Sequence, residues 1–481
     1  MVKEVADVTH GHGHVLLVSF PAQGHVNPLL RFGKLLASNG FLVTFCTAES
    51  AGKQMRRATD NISDSPKPIG DGFLRFEFFD DEWEEDDPRR KNFDLYFPQL
   101  KLVGTSFVSG LVAKQALQNT PVSFIINNPF FSWVLDLAED LKIPSALFWI
   151  HSCPCFSAYY HYNSRSRIRF PSETDPFVDV QLPCMPVLKH DEIPSFLHPS
   201  FPAPAFRRVM LDQFENLSKA SCILMDSFYE LEAEVVDYMS KICPIKTVGP
   251  LFKNPSLLSA GAVRGDFFKP VDDCISWLDS RPDSSVVYIS LGSVVQMNPA
   301  QVDEMVYGLL ESGVSFLWAK KPSQENDGVE ATDLLERAGE KGKIVEWSPQ
   351  EQVLSHRAVS CTLTHCGWNS SMEAIASGVP VIGYSQWGDQ VLNSKFLVEV
   401  FEMGVMMCRN DRQPSLISRH EIAKRLLQAT VGPKAKEMKQ NALRWKAAAA
   451  AALDSGGSSH RNILAFIDQL RAGKNHCSAT S

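Results

Sequence analysis

Two short stretches hold the residues best suited to chemistry. In SFPAQGHVNPLL, residues 19–30, a histidine follows an apolar run and a glycine and stands two residues before Asn27-Pro28. The plain reading of His25 is a polar loop residue. The chemical reading is a group at the carboxyl end of a strand, where open parallel sheets bind ligands. In TLTHCGWNSSMEAIASG, residues 362–378, a strand pattern ends near Thr364 and a helix pattern begins near Asn369. The join holds His365, Gly367, Asn369 and Ser370. A glycine, polar side chains and a helix N-terminus together make an anion site. Glu373 lies four residues beyond Asn369, on the same helix face. Its carboxylate would repel a phosphate but suits a pair of hydroxyls, as on a ribose. A sugar-phosphate with a diol nearby is a nucleotide. The plainer alternative is a capped core helix, with His365 satisfied by backbone.

Flanking pieces extend the nucleotide reading. Trp347, in EWSPQ, stands at a strand end where it can stack on a base. Asp389 and Gln390, in QWGDQ, follow another strand end and can accept from and donate to sugar hydroxyls. Gly292 and Ser293, in SLGS, offer further donors to phosphate.

The elements that must position these residues follow from the apolar pattern. HVLLVSF, FLVTFCT, VSFIINN, PSALFWI and ASCILMDS read as strands, with helical stretches such as NPLLRFGKLLASNG between them. Continuous apolar strands alternating with helices indicate a parallel sheet covered on both faces, the doubly wound α/β class. Residues 248–270, rich in Pro, Gly and Ser, read as a linker. The alternation then resumes through SVVYISLGS, SFLWAK, GKIVEW, SCTLTHCG and VPVIGYS. The expected organisation is a first unit over residues 1–247, the linker 248–270, a second unit over 271–455, and a final helix within 456–481 that packs back on the first.

Composition limits the partners. The chain has 481 residues, enough for two to four domains. A net charge of −8 argues against nucleic acid, whose phosphates attract basic surfaces. No apolar run reaches the roughly 18 residues of a membrane helix, and the first residues read as no signal peptide. The 11 cysteines include no CxxC and read as buried free thiols in a reducing cytosol. HGHGH, residues 10–14, reads as a leader running into a strand rather than a metal site, and DDEWEEDDPRR, residues 80–90, most simply as a solvated loop, with the entrance to a site as the alternative.

The run from Trp347 to Gln390 resembles the plant secondary-product glycosyltransferase signature, over its full length of 44 residues and with its terminal Gln. FPAQGHVNP, VGPLF and SLGS extend the resemblance along nearly the whole chain. It implies a family 1 uridine-diphosphate-sugar glycosyltransferase: GT-B fold, two Rossmann-like domains facing a cleft, inverting, with no metal and no cofactor beyond the co-substrate. The resemblance implies that Trp347 stacks on uracil and that Ser348 and Gln350 contact the uridine. It places His365, Asn369, Ser370 and Ser293 at the diphosphate and Glu373 at the ribose. Trp368, Asp389 and Gln390 would hold the sugar, with the terminal Gln resembling that of glucose users. His25 would be the general base.

One position departs from the family pattern: where an Asp usually backs the histidine, this chain has Asn128. Asn can orient an imidazole through its carbonyl oxygen but cannot stabilise imidazolium by charge. A phenol, with a pKa near 10, must lose a proton during attack, whereas a carboxylic acid near 4 is already ionised. General-base catalysis is worth about 10²–10⁴-fold, or about 3–5 kcal/mol, most of which an acid acceptor can forgo. An Asp would also repel an incoming carboxylate by up to about 4 kcal/mol at 4 Å with an effective dielectric of 20. The expected acceptor is therefore an anion. INNPF, FEFFDDEWEEDDPRR, FWIHSC and YYHY resemble the plant subgroup that makes glucose esters of hydroxycinnamic and hydroxybenzoic acids. Ser385, where that subgroup commonly has Pro, and LNSKF after Gln390 are expected to alter the sugar-facing or acceptor-facing wall, and His151 to line the pocket or pack as a core histidine. The alternatives are a flavonoid O- or C-glucosyltransferase and, more remotely, a nucleotide-sugar-binding protein without catalysis. A cytoplasmic monomer is expected.

Overall fold

The computed structural model describes residues 13–59, 62, 65–84, 86–164, 166–254, 265–268, 273–292, 297–320, 337–407 and 416–477, with side chains to 472. The linker between 255 and 264, the histidines at 10 and 12 and the phosphate candidate Ser293 lie outside the described residues.

The first sheet contains β1 (His14–Val18), β2 (Leu42–Ala48), β3 (Lys67–Ile69), β4 (Gly72–Phe79), β5 (Phe124–Asn127), β6 (Ser145–Trp149), β7 (Cys222–Met225) and β8 (Ile245–Thr247). Its order is β3-β4-β2-β1-β5-β6-β7-β8, parallel throughout except for the antiparallel β3–β4 pair. The second sheet contains β9 (Val286–Ser290), β10 (Ser315–Ala319), β11 (Gly342–Val345), β12 (Val359–Thr364), β13 (Val381–Gly383) and β14 (Gly404–Met406). These run parallel in the order β11-β10-β9-β12-β13-β14. β1, β2, β5 to β7 and β9 to β13 are the apolar runs read from the sequence. β4 escaped that reading because Arg75 and Glu77 interrupt its apolar run, and the three-residue strands β3, β8 and β14 were not read either.

Chain order reverses at the β1/β5 boundary of the first sheet and at the β9/β12 boundary of the second. Loops diverge at such a switch point and leave a crevice beyond the strand ends. His25 and Asn128 follow β1 and β5, while Gly292 and His365 follow β9 and β12. Each pair therefore sits where its sheet topology opens.

The helix after β1 begins at Gln23, not near Asn27-Pro28, so His25 is in its first turn rather than in a loop. Pro28 is inside that helix and has no N–H to give the Gly24 carbonyl. Further along, Phe32 of the same helix packs on Phe148 and Phe466. Phe466 belongs to the last helix, Ser458–Cys477, whose Ile463, Ile467 and Leu470 join the core beneath the first sheet. His14 proves to be a core histidine. Its ring nitrogens meet the Thr120 carbonyl at 2.8 Å and the Thr44 hydroxyl at 2.7 Å, and burial beside Arg75 lowers its pKa to about 3. The acidic run is only partly a solvated loop, because Asp81 is buried in an ion pair with Arg90. Eight of the nine described free cysteines are buried; Cys184 is exposed.

Candidate active site

A cavity of about 720 Å³ lies between the two lobes, lined by the loops that follow β1, β5, β6, β9, β11 and β12. Part of its wall is aromatic, formed by Phe20, Phe93, Tyr96, Phe130, Phe196, Phe206 and Trp387. Another part is polar, formed by Tyr288, Ser348, Gln350, His365, Ser370 and Glu373 beside Trp347. His25, Trp368, Asn369, Asp389 and Gln390 also line it. Thus His25, His151 and the described residues that the sequence assigns to the nucleotide and sugar are on the wall; Asn128 lies beneath the His25 loop, Ser385 is off the wall, and Ser293 is outside the described residues.

His25 stacks on Phe130, with ring centroids 5.0 Å apart, and meets Phe20 edge-on at 5.1 Å. Phe130 holds a left-handed φ of 76°, unfavourable for an aromatic residue and a sign of local strain beside a site. Burial, reinforced by His151, lowers the His25 pKa to about 3, against the smaller opposing effects of Asn128, Asp389 and the Pro129 carbonyl. The ring is therefore neutral at working pH and a weak base. Its Nδ1 is buried without a hydrogen-bond partner among the described residues. Asn128 does not orient this ring by a well-formed bond. Its Nδ2 donates to the His25 carbonyl and to Ser19 Oγ, both at 3.0 Å, and its Oδ1 accepts from Phe20 N–H at 3.0 Å. It fixes the loop backbone that carries the histidine.

In the polar part, the hydroxyl of Tyr288 joins Ser348 Oγ at 2.8 Å and Gln350 Oε1 at 3.1 Å. Gln350 Nε2 then donates to Ser370 Oγ at 3.1 Å and to Glu373 Oε2 at 2.6 Å. Burial raises the Glu373 pKa, opposed by Arg31, which reaches across from the first lobe to Oε1 at 3.2 Å and also pairs with Glu351. Trp347 packs against Phe268 with centroids 4.9 Å apart. The His365 ring lies over the turn between β12 and the helix Trp368–Ser377, and burial lowers its pKa to about 4. A Cβ on Gly292 would come within 2.5 Å of that ring and one on Gly367 within 2.4 Å, so both positions need glycine. The neutral ring and the free N–H groups of the first helical turn form a neutral, preorganised donor set for an anion.

Several side chains tie the lobes together across this cavity. Asn369 Nδ2 donates to the Gly24 carbonyl at 2.8 Å, the acceptor that Pro28 leaves without a helical partner. Trp368 Nε1 donates to the Asp226 carbonyl at 2.9 Å, so its indole N–H is engaged with the first lobe rather than with a ligand. Ser195 and Gly388 exchange two bonds, at 2.9 and 2.6 Å. Asp389 Oδ2 takes Asn393 Nδ2 at 2.6 Å and faces His151 Nδ1 at 3.3 Å. Burial would raise the Asp389 carboxyl, but His151, the bond from Asn393 and His365 outweigh it and lower its pKa. Gln390 turns its Oε1 back to the Gln386 and Trp387 N–H groups. Ser385 does not alter the wall as expected. It is buried, and its hydroxyl accepts from Ser394 at 3.3 Å.

Sequence reasoning missed Arg31 and Tyr288: Tyr288 is one polar-tipped residue inside an apolar strand, and Arg31 is one of several polar residues on its helix. Asn393 belongs to the LNSKF stretch already singled out, but its bond to Asp389 was not legible there.

Two parallel-sheet lobes facing a cleft that carries this anion and diol set are the architecture of a GT-B glycosyltransferase. The model of UDP-glucoronosyl and UDP-glucosyl transferases matches residues 257–410, and that of the glycosyltransferase N-terminal domain matches residues 13–68. Gallate 1-beta-glucosyltransferase of Quercus robur is 59% identical over 463 residues, 95% of this chain and 90% of that protein. Cinnamate beta-D-glucosyltransferase of Fragaria ananassa is 57% identical over 462 residues, 95% of this chain and 82% of that one. Among solved structures, Os79 from O. sativa in complex with UDP superposes with a TM-score of 0.83 at 29% identity, covering 95% of this chain and 100% of that one. The chain belongs to the UDP-glucosyltransferase family and is a glycosyltransferase.

Proposed function

We propose that this enzyme moves glucose from UDP-glucose to the carboxylate of a hydroxybenzoic or hydroxycinnamic acid, making a glucose ester with inversion. The observation that carries this reading is the state of His25. The histidine faces an aromatic-walled cavity, its basicity is strongly lowered by burial, and an amide that serves the backbone stands where a carboxylate would back it. Such an imidazole is a poor general base, since proton transfer is most effective when the pKa lies near the working pH. A carboxylate needs no base. Two relatives that resemble this chain over 95% of its length carry names of acid glucosyltransferases, which supports the same reading. The flavonoid alternative requires removal of a phenolic proton, which this His25 serves badly.

In this reading Trp347, Ser348 and Gln350 take the uridine, Glu373 the ribose, and His365, Asn369, Ser370 and Ser293 the diphosphate. Asp389, Gln390 and the backbone at Trp368 take the sugar. Residues 1–247 form the acceptor unit and 271–455 the donor unit, joined by 248–270, with 456–481 returning to the first. We further propose that the reaction needs no metal and that the protein is a cytoplasmic monomer with no nucleic-acid partner. The neutral donor set at the Trp368–Ser377 helix N-terminus supports metal independence, which full activity in excess chelator would check. Cinnamic acid, which has no phenol, tests the substrate class: it is expected to be glucosylated, while cinnamyl alcohol is not. Turnover of the alcohol at a rate equal to that of the acid would overturn the reading.

A further inference from the structure

We infer that the N-terminus of the helix Gln23–Ser38, together with the Gln23 side chain, holds the acceptor's carboxylate. The inference deepens the reading above and rests on the acceptor being an acid. The helix starts on the cavity wall, where Pro21, Ala22, Gln23, Gly24 and His25 lie in succession. Its N-cap is Ala22, which has no side-chain oxygen for the first N–H groups, and its first turn carries no acidic residue. The N–H groups of His25 and Val26 both turn to the Ala22 carbonyl, at 2.8 and 2.9 Å. Those of Gln23 and Gly24 make no hydrogen bond among the described residues. Two open N–H groups at the positive end of a 16-residue helix suit an anion.

Gln23 gives a second, independent sign of a ligand. It is on the cavity wall, yet only 8% exposed. Its Oε1 is buried with no hydrogen-bond partner, and its Nε2 makes no bond either, among the described residues. A buried amide without partners calls for a ligand group. A half-turn about its terminal bond breaks no hydrogen bond and exchanges its two ends, so the amide meets an anion with N–H. It donates without any change of protonation.

Two anions meet in this cleft, and each has its own helix end. Asn369, in the first turn of Trp368–Ser377, donates to the Gly24 carbonyl, so the two first turns touch. The end at Trp368 belongs to the lobe with the nucleotide set. The end at Gln23 belongs to the lobe of the phenylalanine-lined wall, and Phe20, just before it, packs on Phe130. An aromatic acid has a flat ring for that wall and two carboxylate oxygens. One oxygen attacks the anomeric carbon of glucose. The bond from that carbon to the diphosphate breaks, and its electron pair leaves on UDP. The step transfers no proton. The second oxygen accepts from Gln23 Nε2–H and from the open N–H groups. Because the acceptor's charge passes to UDP during the reaction, these contacts belong to ground-state binding and govern KM more than kcat.

The test compares wild type with Gln23→Ala, Gln23→Glu and Gln23→Pro. Q23A removes the amide, and Q23E sets a negative charge in its place. Q23P removes the amide and one N–H. Pro suits the first position of a helix, and Ala22, at φ −129° and ψ 142°, already has the extended backbone that precedes a proline. For each protein one measures KM and kcat for a hydroxycinnamic acid, KM for UDP-glucose, and Ki of the acid's methyl ester, which keeps the ring and phenol without the charge. Losing a hydrogen bond to a charged group should raise the acid's KM about tenfold in Q23A, and further in Q23E and Q23P. The kcat should move less than KM, and the donor KM and the methyl ester Ki should stay within about threefold. An unchanged acid KM in Q23A and Q23E would overturn the inference. So would a donor KM that rises as much as the acid's, which would give this helix end to the diphosphate. A methyl ester Ki that rises as much would overturn it too, since Gln23 would then act by packing alone. If Q23P does not fold, Q23A and Q23E decide by the same criteria. If the wild type forms no ester at all, the proposed reaction falls and this inference with it; if it does and the variants match it, this inference alone falls.

Discussion

Asn128 was singled out as the residue standing where a catalytic carboxylate is usual, and the structure gives it a different task. Both of its N–H groups donate, one to the His25 carbonyl and one to Ser19, while its oxygen accepts from the Phe20 N–H. Aspartate has no donor for the His25 carbonyl. Asn128→Asp is therefore not a repair of the family pattern. It should leave one buried acceptor unpaired, at a stability cost of about 1–3 kcal/mol. It should also set a negative charge beside an incoming acid and lower kcat/KM for acids by tenfold or more. Thermal melting and acceptor kinetics check both. A variant as stable as the wild type with improved turnover of acids would refute this account of the residue. The sequence showed that position 128 departs from the family; it did not show the amide's bonds, because they run to residues 103 to 109 positions away.

Two elements carry features that act beyond their own length. In the helix Gln23–Ser38, Arg31 sits one face away from the core and pairs with Glu351 and Glu373 of the other lobe. Burial already raises the Glu373 carboxyl, and Arg31 restrains that rise. Arg31→Met should raise it further, so that more Glu373 is protonated and a poorer acceptor for ribose hydroxyls at a given pH. The expected result is a higher KM for UDP-glucose that falls as pH rises, since higher pH restores the carboxylate; a pH-independent KM would contradict it. In the helix Cys153–Asn163, the first N–H, that of Cys153, donates to buried Glu232, which also accepts from Ser227. Burial lifts the Glu232 pKa from 4.5 to about 7. Its folded form thus holds a proton that the unfolded chain has lost, so its contribution is largest below about 4.5 and fades as pH climbs to about 7. Glu232→Gln has no such fade, and the melting temperature of the variant relative to wild type should rise between pH 5 and pH 8. The long apolar strands were legible because they are buried on both faces. The helix start at Gln23 was not. Pro28 suggested a first-turn position, yet it lies inside the helix, where the Gly24 carbonyl it leaves open is filled by Asn369 of the other lobe.

At the scale of the molecule, the two switch points face each other and the lobes are joined through the site itself. The contacts Asn369–Gly24, Trp368–Asp226, Ser195–Gly388 and His151–Asp389 all line or border the cavity. Asn369 and Asp389 therefore join the two lobes as well as lining the cavity. Most of the polar wall was legible in the sequence, because it comes from one contiguous run, Trp347 to Gln390, that follows the ends of β11, β12 and β13. Of the acceptor side, the sequence pointed to His25, Asn128 and, in one of two readings, His151. Its walls come from Phe93, Phe196 and Phe206, scattered over loops and helices, and the pairing of His151 with Asp389 appears only when the other lobe brings Asp389 to it. The central claim is that the nucleophile is a carboxylate. It is tested most directly by incubating the enzyme with UDP-glucose and a hydroxybenzoic acid, isolating the glucosylated product and treating it with mild base. The account predicts an ester that releases free acid and glucose. A product that survives base, with glucose on a phenolic oxygen or a ring carbon, would contradict it.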